Sequence, residues 1–101
     1  ALLPMDDALV QVALDLANRP YLGWSMPDTE GYVGEFPVET AEEFFRALTI
    51  HAGITLHIRV LTGKNRHHIL ESIFKGVGRA LRAALETNPR FGGVPSTKGV
   101  L

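Results

Sequence analysis

The sequence predicts an α+β fold, a two-layer α/β sandwich in which one sheet is covered on one face by two helices. Two observations predict it. Residues 54–60, Ile54-Thr55-Leu56-His57-Ile58-Arg59-Val60, alternate apolar with polar almost without a break, the period of a half-buried strand. Residues 66–86 instead repeat apolar side chains at helical spacing, with Ile69, Leu70, Ile73, Phe74, Val77, Leu81 and Leu85 on the buried side.

The elements follow in order. Residues 9–17 read as a strand, because Val10, Val12, Leu14 and Leu16 share one parity. Asn18-Arg19-Pro20 turns the chain, and residues 21–25 read as the returning strand. Residues 27–31, Pro-Asp-Thr-Glu-Gly, form a loop by their turn chemistry, and residues 32–36 form a short third strand ended by Pro37. Thr40-Ala41-Glu42-Glu43 has the form of a capping box, with Thr40 at the N-cap and Glu43 at N3. The helix it opens carries Phe44, Phe45, Leu48 and Ile50 and stops at Gly53. After the strand at residues 54–60, Gly63-Lys64-Asn65 turns the chain, Asn65 caps the long helix and Asn88-Pro89 ends it. The predicted order is β-β-β-α-β-α. The tail from residue 90 to residue 101 is too glycine-rich for regular structure.

Composition narrows the function classes. The chain has 101 residues, enough for one small domain, and a formal net charge of −1, which implies no broad polyanion-binding surface and argues against a nucleic-acid partner. It has no cysteine, so disulfides and thiolate metal ligands are excluded; a reducing cytoplasm is compatible with that. No apolar run approaches the ~20 residues of a membrane-spanning helix. The sequence starts at Ala1 without an initiator Met, as expected of a trimmed chain or a piece of a longer one.

The chemistry concentrates in Asn65-Arg66-His67-His68-Ile69-Leu70-Glu71, followed by Lys75. In a helix His68, Glu71 and Lys75 fall at i, i+3 and i+7 and form one stripe, flanked by His67 at roughly 100°. Imidazole nitrogen and carboxylate oxygen suit a borderline divalent metal such as zinc, manganese or iron. The bland alternative is a capped helix start with a surface Glu71–Lys75 pair. Adjacent histidines diverge too far to chelate one ion together, which favours two metals, or a metal and a substrate, and a site completed from elsewhere. Ser96, Thr97 and Lys98 offer hydroxyls and a cation suited to phosphate, although such a tail is also an ordinary chain end. Arg19 and Lys75 add two more cations, and the set together suggests a phosphorylated ligand beside a metal. His57 points away from its strand's apolar face, and His51 complements a helix C-terminus.

Several blocks then resemble one family. Residues 43–48 (Glu-Phe-Phe-Arg-Ala-Leu), residues 51–57 (His-Ala-Gly-Ile-Thr-Leu-His) and residues 63–75, which hold the HHxxE helix, are similar to the second half of imidazoleglycerol-phosphate dehydratase. Residues 4–9 and 15–20 and the closing Pro95-Ser96-Thr97-Lys98-Gly99-Val100-Leu101 extend the resemblance over the whole chain. The resemblance implies a carbon–oxygen lyase that dehydrates imidazole glycerol phosphate to imidazole acetol phosphate in histidine biosynthesis, in the cytoplasm. It implies a duplicated β-β-β-α-β-α half like the second domain of ribosomal protein S5, with a left-handed crossover. Two manganese ions per site would lie between subunits of a twenty-four-subunit shell. By position His67, His68 and Glu71 match metal ligands, with His68 and Glu71 serving catalysis through the metal. Arg19, Lys75, Ser96 and Lys98 match residues that hold the substrate phosphate. Glu43 stands where many members place a further ligand histidine, a departure in which an oxygen replaces a nitrogen donor. The C2 proton to be removed is not acidic, so a metal-held imidazole is the expected electron sink, with the base coming from the other half. Only one HHxxE is present, so residues 1–101 are expected to form a single half-domain, which needs the missing N-terminal half or another copy of itself. The alternative is an inert half that folds, self-associates and binds metal without turnover.

Overall fold

The computed structural model describes residues 1–27 and 30–87. Its order is β1 (Leu2–Met5), β2 (Ala8–Asp15), β3 (Tyr21–Ser25), β4 (Tyr32–Val33), β5 (Phe36–Pro37), α1 (Glu39–Ala52), β6 (Thr55–Thr62) and α2 (Arg66–Thr87). The main sheet runs β1-β2-β6-β3, while β4 and β5 pair separately. This is the predicted α+β class, a mixed sheet carrying two helices.

Alternation builds the layer. Ala8, Val10 and Val12 of β2 and Leu56 and Ile58 of β6 are buried, and their neighbours Gln11, Ala13, His57 and Arg59 are exposed on the opposite face. Ala41 and Phe45 from α1 and Ile69, Leu70, Ile73 and Val77 from α2 close over that buried face in one cluster. Phe45, 1% exposed, is its largest fully buried side chain, worth about 2–3 kcal/mol by area. Gly53 ends α1 at φ 67°, and its N–H donates to the Thr49 carbonyl at 2.9 Å.

Four expectations are corrected. First, residues 2–5 add a strand, β1, ahead of the expected ones; it is an edge strand pairing antiparallel with β2, where Pro4 is tolerated. Second, β3 does not return along β2. Residues 16–20, with Asn18 at φ 56°, carry the chain across the sheet, and β3 pairs parallel to β6, which lies between the two. Third, residues 32–36 are not one strand but part of a two-residue-strand hairpin with Val33 opposite Phe36. Fourth, the capping box does not form. Helix α1 starts at Glu39 with Val38 in the cap position and no side-chain cap bond, because burial of Val38 sets where the chain enters. The β-β-β-α-β-α order survives in the main sheet with different strands filling its first three places.

Three apolar side chains of the two helices are also more exposed than their spacing suggests. Phe44, Ile50 and Phe74 are 51%, 60% and 42% exposed, since a helix resting on a sheet buries only one stripe. Phe74 nonetheless touches Phe45, with ring centroids 4.9 Å apart.

Candidate functional site

The β1–β2 connection is a two-residue turn, Asp6-Asp7, with Met5 opposite Ala8. Asp6 takes a left-handed φ of 50°, uncommon outside glycine but tolerated by aspartate. The turn presents Asp7 to the start of α2. One Asp7 carboxylate oxygen, Oδ2, accepts from the Lys64 and Asn65 backbone N–H groups at 2.7 and 2.9 Å. The other, Oδ1, lies 2.6 Å from His68 Nδ1. Asn65 in turn caps α2, its Oδ1 accepting from the His68 N–H at 3.0 Å.

These contacts shape the titration of both partners. The Lys64 and Asn65 amides, followed by the His68 hydrogen bond, hold the Asp7 carboxyl well below the usual carboxylate range. The Asp7 hydrogen bond pushes the His68 imidazole up. Desolvation opposes that shift, and the charges of Asp7, Asp6 and Glu71 add to it. His68 Nε2 faces outward, with an Asp6 carboxylate oxygen 3.4 Å away.

His67 points elsewhere. Its ring centroid is 6.3 Å from that of His68 and its plane is turned by 83°. His67 Nε2 lies 3.3 Å from Glu71 Oε1, and Glu71 Oε2 lies 3.8 Å from Lys75 Nζ. The stripe is therefore His67, Glu71 and Lys75 at successive i, i+4 steps, not the expected His68, Glu71 and Lys75. The Asp7 contact draws His68 off it. His67 and Glu71 also line an open cleft of about 490 Å³ with Val33, Phe36, Leu70 and Phe74, so the small β4–β5 hairpin walls one side of the imidazole.

The other expected site residues are not gathered here. Arg19 is exposed at the far end of β2, with its carbonyl accepting from Thr55 Oγ1 at 2.7 Å. The length of β2 separates it from Asp7 by about 24 Å. Glu43 is exposed on α1. Among the described residues no three His, Asp or Glu side chains converge as a group able to hold a metal ion. Ser96 and Lys98 lie outside the described residues. Sequence reasoning did not single out Asp6 and Asp7. They entered only within residues 4–9 of the family resemblance, with no role attached, and the partner of Asp7 stands 61 positions away.

Chemically, the helix offers two separate donor arrangements. His67 and Glu71 present a nitrogen and an oxygen side by side, the pairing a helix gives two ligands of one ion. His68 presents a single nitrogen, with its other nitrogen tied to a carboxylate. Neither arrangement closes a coordination sphere.

Comparison with known proteins gives the family. The family model described as imidazoleglycerol-phosphate dehydratase matches residues 1–81. The imidazoleglycerol-phosphate dehydratase of Desulfitobacterium hafniense (strain Y51) is 74% identical over 100 residues, covering 99% of this chain and 51% of that protein. That of Moorella thermoacetica is 52% identical over 101 residues, 100% of this chain and 52% of its own. Among solved structures, the enzyme from Staphylococcus aureus superposes with a TM-score of 0.80 at 44% identity, over 83% of this chain and 49% of that one. The Pyrococcus furiosus enzyme in complex with (S)-C348 gives 0.77 at 43% identity, over 100% and 55%. The chain thus spans about half the length of the curated relatives it matches, and it belongs to the imidazoleglycerol-phosphate dehydratase family.

Proposed function

We propose that this chain is the C-terminal half of a manganese-dependent hydro-lyase that converts imidazole glycerol phosphate to imidazole acetol phosphate in cytoplasmic histidine biosynthesis. The observation that carries the reading is the pair of divergent, individually incomplete donor arrangements, His67 with Glu71 and His68 alone, in a chain half as long as its relatives.

The donor chemistry fits manganese. Two imidazole nitrogens and a carboxylate are ligands of borderline hardness, exposed enough to be reached, and they diverge as ligands of two ions rather than one. Bound manganese supplies Lewis acidity and a sink for electron density on the substrate imidazole. Glu71 and His67 hold one side of such a site and His68 the other, and Glu43 is a further oxygen donor only if another chain segment brings it there. Lys75, beside Glu71, supplies a cation for the substrate phosphate. Arg19, Ser96 and Lys98 complete the phosphate set. The ~24 Å between Arg19 and the helix start means that one chain's Arg19 and its own His68 serve different sites in an assembly of copies. Such an assembly is the twenty-four-subunit shell, with the N-terminal half or a second copy supplying the remaining ligands and the base for the C2 proton.

A second reading is favoured by one specific observation, the lack of a converging three-donor group among the described residues. On it the isolated chain folds, self-associates and binds metal without turnover. Complementation of a histidine auxotroph lacking the dehydratase separates the two. Growth with this chain alone sinks the inert reading. Growth only when the companion half is supplied supports an active site built from two halves. No growth in either case, with both halves soluble, sinks the dehydratase reading. Metal content after His67→Ala, His68→Ala and Glu71→Ala tests the ligands; unchanged manganese in all three refutes them.

A further inference from the structure

We infer that Asp7 is a positioning residue for His68, fixing the imidazole with its proton on Nδ1 so that Nε2 is the nitrogen offered to metal. The inference rests on the proposed metal role of His68 and adds to it the group that sets which ring nitrogen is available.

The geometry is specific. Asp7 spends one oxygen on two backbone amides, Lys64 and Asn65 at 2.7 and 2.9 Å, and the other on His68 Nδ1 at 2.6 Å. The first two bonds lock the carboxylate to the turn that starts α2, so it cannot swing away from the ring. A carboxylate can only accept, so the ring nitrogen facing it must carry the proton. In a neutral imidazole the other nitrogen then has its lone pair free for coordination. Carboxylates in this position orient ligand histidines and raise their basicity, and losing one typically costs 10–100-fold in metal affinity. The left-handed Asp6 lies in the two-residue turn that carries Asp7 to the helix start. Asp6 itself has a carboxylate oxygen 3.4 Å from Nε2, on the outward side of the ring.

Asp7→Asn tests the assignment without dismantling the turn. The amide oxygen still accepts from the Lys64 and Asn65 N–H groups, but the amide nitrogen now donates toward His68 Nδ1. His68 must then carry its proton on Nε2, the nitrogen metal would need. Long-range proton–nitrogen NMR of the metal-free chain at about pH 9, above the usual imidazole range, reads the tautomer directly. The expected result is Nδ1–H in the unmodified chain and Nε2–H in Asp7→Asn. Nε2–H in the unmodified chain, or no change in the variant, overturns the inference and needs no metal to do so. Manganese titration then separates the two claims. His68→Ala and Asp7→Asn are both expected to weaken binding, Asp7→Asn by about 10–100-fold. Weakening by His68→Ala alone overturns the role of Asp7. Unchanged affinity in both overturns His68 as a ligand.

Discussion

Two glycines of α2, Gly76 and Gly78, should respond to alanine with opposite signs. A methyl group at Gly78 meets nothing within 4 Å among the described residues, so Gly78→Ala adds only helix propensity, a gain of about 1 kcal/mol. A methyl group at Gly76 would lie 2.7 Å from Val12 Cγ2, with Val12 Cβ at 3.6 Å and Leu3 Cδ2 at 3.7 Å. Val12 is 1% exposed and belongs to β2, which is paired on both edges, and its branched side chain has little rotameric freedom. The helix must therefore lift or Val12 must strain, and overpacking of that kind costs about 1–3 kcal/mol. Against the same propensity gain, Gly76→Ala comes out between neutral and about 2 kcal/mol destabilising. Equilibrium urea denaturation of both variants, with m unchanged, measures the contrast. A Gly76→Ala as stabilising as Gly78→Ala would refute the claim that this glycine seats the helix on the sheet. The double variant with Val12→Ala should show favourable coupling of at least about 0.5 kcal/mol, because the clash disappears with Val12 Cγ2.

Three further outcomes are expected. Ser72 is fully buried and its hydroxyl has no hydrogen-bond partner among the described residues, so Ser72→Ala should stabilise by about 1–2 kcal/mol. A thermal midpoint that falls instead of rising by several degrees would contradict this. Gly53→Ala should cost about 1 kcal/mol or more in denaturant titration, because its φ is 67° and a Cβ would lie 2.7 Å from Asn18 Oδ1. In the metal-free chain the Asp7–His68 pair should make the thermal midpoint fall at both ends of the pH range. Asp7 has its folded value below its unfolded one, so its contribution is complete above the ordinary carboxylate value of about 3.8 and is lost as pH falls through the folded value. His68 is shifted the other way: its contribution is complete below about 6.5 and is lost as pH rises through its raised folded value. A scan of thermal midpoint against pH should show both slopes shrink in Asp7→Asn, and slopes identical to those of the unmodified chain would refute the assignment.

The legible parts of the fold were those whose periodicity is long and whose partner is the core itself. Strand β6 alternates cleanly over its buried positions Leu56 and Ile58, and α2 repeats its apolar stripe over several turns. Asn65 was legible as a cap because capping is local. What the local pattern does not contain is pairing. Nothing near residues 21–25 says that β6 will lie between β3 and β2, and the short β1 is masked by Pro4 and a turn of two aspartates. The Thr40 box is a sound local signal overridden by burial of Val38. Within the candidate site the HHxxE spacing marked the helix as chemically unusual. The choice of which histidine joins Glu71 was not legible, because i, i+3 and i, i+4 neighbours are equally available on a helix surface. A carboxylate 61 residues away makes that choice.

That distant carboxylate also explains how a donor pair at the first turn of a helix can be held in place. A first turn has unsatisfied N–H groups and frays unless something occupies them. Here Asn65 takes the His68 amide, Asp7 takes the Lys64 and Asn65 amides just ahead of the helix, and the same Asp7 holds the ring of His68. One end of the ligand-bearing segment is thus tied to the β1–β2 turn, and Gly76 lets the segment after it rest directly on Val12. The two anchors do different things, and the variants distinguish them. Gly76→Ala should lower global stability relative to Gly78→Ala while His68 keeps its proton on Nδ1, because the Asp7 contacts lie two turns away. Asp7→Asn should move that proton whatever it does to stability. If both variants moved the tautomer, the first turn would be held by helix packing rather than by Asp7, and the carboxylate would be a passenger of the turn it caps.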